Sequence, residues 1–290
     1  MLKGLLDPKI DFVFKNIFGS DKHPKILISF LNATLKPKYQ ITKVKIKNTD
    51  LEKHFLDDKF SRLDVKAETS NNEIINIEIQ LKNEYNMIKR SLYYWSKLYE
   101  EQLGEGEDYS SLKRTVCINI LNFKYLKNDR FHNGYRLKEV ETNEELSDVL
   151  EIHFIEIPKL KDNSDDKDML VAWTEFLKNP ESEKVRSLEM NIEEIKEAKN
   201  ELVRLSNDDE QRMLYEMRAK ILKDKISALN KAKNEGREEG LKEGLKEGLK
   251  EGLKEGLIKT AKNLLDMGMD VEIVSNATGL SVEEIRNLKN

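Results

Sequence analysis

The stretch from Arg62 to Lys82, RLDVKAETSNNEIINIEIQLK, sets two carboxylates where both can act on one ion. Its first half alternates polar and apolar residues, with Leu63, Val65 and Ala67 on one face of a strand. Its second half does the same with Ile75, Ile77, Ile79 and Leu81. Between them Ser70, Asn71 and Asn72 suit a three-residue hairpin loop, because Asn tolerates the left-handed backbone such a loop requires. That loop puts Thr69 opposite Glu73 and, counting back, Asp64 opposite Glu78. Directly opposed residues share a face, with Cβ atoms about 4.5–5.5 Å apart. Two like charges there repel, and a divalent cation between them turns the cost into a binding site. Gln80 and Lys82 follow Glu78 on the same face by two-residue alternation. The bland alternative is a solvated strand face.

Composition limits the partners. The chain has 290 residues, enough for one sizeable core and a second unit. Charged residues make up 36% and aromatics 7%, so much of the length must be solvent-facing helix. A net charge of −4 and a pI near 5.8 exclude a global basic field, so nucleic acid must be met by a local patch. The one cysteine, Cys117, sits in the apolar run TVCINIL. It excludes an internal disulfide and suits a reducing compartment, with an inert buried thiol. The N-terminus, MLKGLLDPKIDF, lacks the apolar segment of a signal peptide, and no run approaches the roughly 18 residues of a membrane span. A soluble cytoplasmic protein without membrane contact is expected.

Positioning the carboxylates falls to the elements around them. Asp7 and Pro8 precede a helix, DFVFKNIF, with Phe12, Val13, Ile17 and Phe18 on a broad apolar face and Gly19 as its C-cap. A second helix starts at Asp21 or Lys22 and runs through PKILISFLNATL, with Pro24 in its first turn. ITKVKIKN reads as a strand with Ile41, Val44 and Ile46 as apolar members, and residues 51–61 as a loop or short turn. Beyond the hairpin, a helix from Glu84 to Leu103 places Met87, Leu92, Trp95, Leu98 and Tyr99 on one side, closed by Gly104 and Gly106. TVCINILNF reads as a central strand buried on both faces. After a loop and a short helix, LEIHFIEIPKL is a further strand, stopped by Pro158. Strand–helix–strand continuity implies a crossover and a mixed sheet.

The pattern changes after Asp165. DMLVAWTEFLKN is an amphipathic helix anchored by Trp173 and Phe176, and long helices follow at about 191–205 and 208–235. Asp208, Asp209 and Glu210 favour the N-terminus of the latter. A domain boundary is expected near residue 162, in KDNSDDKD. From Glu239 to Glu255 the unit EGLK recurs, giving Leu241, Leu245, Leu249, Leu253 and Leu257 as a ridge beside a second ridge of glycines. The ridge drifts by about 40° per repeat. Each interior Gly costs about 1 kcal/mol of helix propensity, so a covering helix is expected. It would come from a second subunit or from the terminal bundle folded back; a flexible low-complexity linker is the alternative. The last segment, AKNLLDMGMDVEIVSNATGLSVEEIRNLKN, reads as three short helices broken at Gly268 and Gly279, with Ser281 and Glu284 forming a capping box. It resembles a helix-turn-helix. Glu283 and Glu284 open its final helix and would face phosphates, which favours oligomerisation or partner binding over DNA reading.

Asp followed fourteen residues later by Glu-x-Gln, after a helix and inside a hairpin, resembles the PD-(D/E)xK nuclease core, where Lys normally stands at the position of Gln80. DFVFKNIFG (11–19), LDVKAE (63–68), IEIQ (77–80), KRSLYYWSKLYEEQLGEGEDYSSL (89–112), TVCINILNF and FIEIPKL (154–160) extend the likeness. Nearly the whole chain is similar to the Rpn family of recombination-promoting nucleases and transposase-like proteins. The resemblance implies an α/β N-terminal PD-(D/E)xK, restriction-endonuclease-like core, a mixed sheet flanked by helices, followed by an all-α C-terminal region. Its expected extents are 1–162 for the nuclease-like domain, 163–235 for a helical region, 236–258 for the EGLK-repeat helix and 259–290 for a small helix-turn-helix-like module.

The resemblance further implies a Mg²⁺-dependent DNA endonuclease, with Mn²⁺ as a substitute, connected with recombination, mobile elements and defence against phage. Asp64 and Glu78 then become metal ligands and the backbone carbonyl of Ile79 a third oxygen. Gln80 would orient a water through its amide, with Lys82 as a possible substitute for the missing Lys. Asp11 becomes an outer ligand or, equally, a helix N-cap. Arg90 and Tyr94, one turn apart, would hold a phosphate, or Arg90 would pair with a surface carboxylate. Double-stranded DNA is the expected partner. Cutting both strands calls for two sites, so a homodimer or higher oligomer through residues of about 208–290 is expected. Gln80 keeps open a rival: a catalytically weak or inactive nuclease fold that binds DNA or protein and is organised by its helical tail.

Overall fold

The computed structural model describes residues 4–47, 64–83, 85–165 and 167–288. The loop expected over 51–61, and Arg62 and Leu63 of the hairpin, lie outside them. The chain packs as two units, residues 1–222 and 223–290.

The hairpin forms with the register that its loop dictates. β2 (Val65–Thr69) and β3 (Ile74–Gln80) pair antiparallel with Val65 opposite Ile77, and the Thr69 N–H bonds the Glu73 carbonyl at 3.0 Å. Asn72 takes the left-handed backbone the loop needs, at φ 59°. β1 (Val44–Ile46) pairs antiparallel with β2 on the outer side. On the other side, the chain crosses over through α3 (Met87–Glu100) to β4 (Thr115–Leu121), parallel to β3. β6 (Glu145–Glu156) runs parallel to β4, and β5 (His132–Lys138) closes the edge antiparallel to β6. The mixed sheet thus has the order β1-β2-β3-β4-β6-β5.

Between β4 and β6 the structure has β5 in place of the expected short helix. HNGYRLK is an edge strand that is mostly solvated, so nothing imposed an apolar alternation on it. β6 also begins earlier than its apolar run, because its first half is held by β5 rather than by a core.

Two cores cover the sheet. On one face Ile75, Ile77, Val116, Ile118 and Ile120 pack beneath α1 (Asp11–Phe18), α2 (Pro24–Leu35) and α4 (Met169–Lys178), where Trp173 meets Phe18 edge-on at 5.4 Å. α5 (Glu183–Glu189) and α6 (Glu193–Asn207) add Val185, Ile195 and Leu202 to that same core. The boundary expected near residue 162 is therefore not a division of packing. KDNSDDKD is polar like a linker, but the apolar faces of the helices after it are covered by α1, α2 and each other. On the opposite face α3 buries Met87, Ser91, Tyr94 and Leu98. The buried stripe differs from the expected one: Leu92 is 43% exposed and Tyr99 half-buried, while Ser91 is drawn inward by a 2.8 Å hydrogen bond to Asn119. Because β3 is a central strand, its polar-looking face is buried too, including Asn76 and Glu78.

α7 (Asp209–Asp266) is one continuous helix, joining the two helices expected over 208–235 and 236–258. It starts on the Asp208 carboxylate, which accepts the N–H groups of Glu210 and Gln211, both at 3.0 Å. Leu241, Leu245, Leu249 and Leu253 are 68–77% exposed, and the repeat glycines face open space. The terminal bundle does not fold back over this ridge. It packs Val274 of α8 (Val271–Thr278) and Ile285 of α9 (Val282–Leu288) against Ala261 near the end of α7. Gly268 and Gly279 break the chain at positive φ, and Ser281 and Glu284 cap each other's N–H groups at 2.9 and 3.2 Å. No helix among the described residues is long and apolar enough to cross a membrane.

Candidate active site

Asp64 directly precedes β2, and the hairpin register carried one residue further sets it opposite Glu78. The Asp64 N–H donates to Glu78 Oε1 at 3.3 Å, and the Ile79 N–H donates to Asp64 Oδ2 at 2.8 Å. N–H and C=O of one strand residue point to the same edge. The Ile79 carbonyl therefore points toward the Asp64 side, while the Gln80 carbonyl is taken on the other side by the Asn122 N–H at 2.9 Å.

Glu78 is 2% exposed. Burial, then the Asp64 charge, push its carboxyl up, while Arg90 acts against them. Burial raises Asp64 as well; the Ile79 N–H offsets part of this and the Asp11 charge adds to it. Compensation by charge is loose, since the nearest guanidinium nitrogen of Arg90 stands 3.5 Å from Oε2; the Asn76 side chain adds a hydrogen bond to the carboxylate. Arg90 is itself held by Tyr94, donating from Nε to the hydroxyl at 3.1 Å and lying 5.2 Å from the ring centre. Thus Arg90 reaches Glu78, and Tyr94 holds Arg90. Gln80 ends β3 and Lys82 lies two residues beyond, both half-buried.

Asp64 also lines a cleft of about 560 Å³ with Asp11, Lys15, Asn16, Ser20 and Arg218. Asp11 is the first residue inside α1, Ile10 occupying the N-cap position. Its Oδ1 accepts the Phe12 N–H at 2.7 Å, and its Oδ2 lies 3.5 Å from Arg218. Lys15 and Arg218 were not anticipated. Lys15 sits four residues after Asp11, a helical spacing visible in DFVFK, and its charge favours ionised Asp64. Arg218 comes from the start of α7, with no local signal linking it to Asp11.

Among the described residues no three His, Cys, Asp or Glu side chains converge as a metal cage. Two carboxylates and a strand carbonyl are hard oxygens, too few for a closed protein cage. That donor set fits Mg²⁺, which keeps several waters, and does not fit a structural Zn²⁺ site.

A carboxylate-bearing hairpin inside a mixed sheet, crossed over by a helix and flanked by a helical layer, is a nuclease-type core. A family model described as PD-(D/E)XK nuclease family transposase matches residues 8–232. The chain belongs to that family. A second model, the C-terminal HTH domain of the Rpn/YhgA-like nuclease family, matches residues 254–290. Neither the curated proteins nor the solved structures contain a match. The second match weakens the preference for partner binding over DNA reading in the terminal module. Of Glu283 and Glu284, on which that preference rested, Glu284 is engaged in the capping box with Ser281.

Proposed function

We propose that the protein is a Mg²⁺-dependent DNA endonuclease that hydrolyses phosphodiester bonds of duplex DNA. The observation that carries this reading is the Asp64–Glu78 pair: a buried carboxylate opposed to a half-buried one, with Arg90 standing 3.5 Å from Glu78 and Asp64 opening into a cleft. Family membership supports the nuclease class, and the helix-turn-helix match supports DNA as the partner. Asp64, Glu78 and the Ile79 carbonyl would hold Mg²⁺ or Mn²⁺, which supplies Lewis acidity toward a phosphate oxygen and lowers the pKa of a water.

The chain's own residues do the positioning. Arg90, fixed by Tyr94, places a guanidinium beside Glu78 where a phosphate oxygen can accept from it. Gln80 offers an amide that can both donate to and accept from a water, without charge. Lys82 brings a cation to the end of the strand, and Lys15 and Asp11 set the charge of the cleft around Asp64. Recombination, mobile-element transfer and phage defence are the processes this activity serves. The exposed Leu ridge of α7 supports assembly through the C-terminal helices, which sedimentation at micromolar concentration tests: a monomer would exclude it.

A supercoiled plasmid incubated with Mg²⁺ should be nicked or linearised, and EDTA should stop the reaction. Cleavage that is indifferent to EDTA would remove the metal from the proposal. The second reading, a weak or inactive nuclease fold that binds DNA or protein, is favoured by Gln80 alone. Binding of the plasmid without any cleavage across Mg²⁺ and Mn²⁺ would select it.

A further inference from the structure

A second buried charge pair lies at the same end of the sheet as Glu78, and it organises a loop. Glu156 ends β6 with its side chain 0% exposed, and Lys159, 5% exposed, pairs with it at 2.7 Å. Glu156 Oε1 accepts the N–H groups of Tyr125 and Leu126, the latter at 3.1 Å. Lys159 Nζ donates to the carbonyls of Leu126 at 2.7 Å and Asn128 at 2.6 Å. Desolvating two such charges costs about several kcal/mol each unless further hydrogen bonds satisfy them. Here those further bonds go to the backbone of residues 125–128. The pair therefore fixes the course of the segment 122–131 that joins β4 to β5.

The segment is also tied to the candidate site. It begins with Asn122, bonded to the carbonyl of Gln80 at 2.9 Å. The Tyr125 hydroxyl accepts the N–H of Ile88 at 3.3 Å, in the first turn of the helix that carries Arg90. Held there, the segment exposes Lys124, Lys127 and Arg130 at three-residue spacing, against a single acidic residue, Asp129. None of these three cations forms an ion pair among the described residues. Lys124 is two residues past Asn122, within about 7 Å of chain. In a chain of net charge −4, this is a local basic rim on a fixed backbone, beside two carboxylates.

We infer that residues 124–130 are the element that grips the phosphate backbone of the substrate duplex, with the buried Glu156–Lys159 pair as the device that holds it in place. This rests on the nuclease reading of Asp64 and Glu78. The rim carries no base-reading geometry. It positions the duplex by charge, which phosphate contacts do without regard to sequence.

The test uses the full-length protein and a labelled duplex, with binding followed by fluorescence anisotropy over a salt series. One variant combines Lys124→Gln, Lys127→Gln and Arg130→Gln. The control combines Lys38→Gln, Lys43→Gln and Lys45→Gln, exposed cations near the hairpin turn at the opposite end of the sheet. All six positions are exposed, so the fold is retained, and the terminal helix-turn-helix is the same in every sample. Each lost phosphate contact lowers the slope of log affinity against log salt by about 0.9. The rim variant should lose about 2–3 in slope and at least about tenfold in affinity near 0.15 M salt. Its kcat/KM for plasmid cleavage should fall by the same factor with kcat unchanged. The control should keep the slope of the unsubstituted protein. Equal slopes for rim variant and control, with the unsubstituted protein binding and cutting normally, would overturn the rim and leave the nuclease reading standing. An unsubstituted protein that neither binds duplex nor cuts it would overturn both.

Discussion

Glu78 and Glu151 are both buried glutamates on strands of the same sheet, and their surroundings differ in kind. Glu151 accepts from Arg136 Nε at 2.7 Å, from His153 Nε2 at 2.6 Å and from Arg114, which also pairs with Glu73. Burial pushes Glu151 up, but the His153 and Arg114 contacts outweigh it and hold the carboxyl down at about 2. Glu78 has a backbone N–H at 3.3 Å, a side-chain hydrogen bond from Asn76, a guanidinium at 3.5 Å and a second carboxylate opposite, and burial outweighs the donors and holds it up. A carboxylate whose acceptor capacity is filled by protein donors is a structural clamp. One left under-compensated beside its like retains capacity for a cation from outside. The difference separates a fold-holding cluster from a candidate site when both are equally buried.

Substitution should divide the two sharply. Asp64→Ala or Glu78→Ala should each lower Mg²⁺-dependent cleavage by about 10³-fold or more, the equivalent of several kcal/mol of lost charge stabilisation. Both variants should stay folded, with a single cooperative urea transition, because relief of the carboxylate repulsion offsets part of what the lost hydrogen bonds cost. A variant that cut at near-normal rate would place the chemistry elsewhere. Glu151→Ala should do the reverse. It strands Arg114 beside a hole and should destabilise the fold by about 3–5 kcal/mol, read from urea unfolding, with kcat per folded molecule unchanged.

Gln80 sharpens the comparison at smaller scale. If its amide orients water, Gln80→Leu should cost about 10–100-fold in cleavage, while Gln80→Lys should retain or raise activity. Equal rates for the Leu and Gln forms would show that the side chain takes no part. A smaller effect is expected from pH. Glu151 has a folded-state value depressed from 4.5 to about 2, so its contribution to stability is full above 4.5 and is lost as pH falls toward 2. The unfolding midpoint of the unsubstituted protein should therefore drop over that window more steeply than that of Glu151→Gln. Parallel curves would remove Glu151 from the clamp.

The candidate pair was legible because everything that positions it is local. A three-residue loop with Asn72 at positive φ fixes the register, and register alone sets Asp64 against Glu78. The mixed sheet and the crossover helix were legible for the same reason, as strand-length apolar runs separated by a helical pattern. What the sequence left hidden depends on distant partners. Arg218 reaches Asp11 across some 200 residues, because the start of α7 packs on the core where Tyr215 and Leu222 meet it. β5 carries no core face, so its residues held no periodic signal. The α3 stripe turned on Ser91, a polar residue buried through its bond to Asn119, where an apolar count favours Leu92. A polar connector such as KDNSDDKD looks alike whether the helices beyond it dock or not, and here they share the core of the sheet.

The central claim is that Asp64 and Glu78 together hold a divalent cation, and crystals soaked in Mn²⁺ test it most directly. The account predicts one anomalous-difference peak between the two carboxylates, with oxygens of both at about 2.0–2.2 Å and the Ile79 carbonyl completing the protein ligands. Saturating Mn²⁺ that leaves no peak there, or that collects at the Glu151 cluster instead, would contradict it.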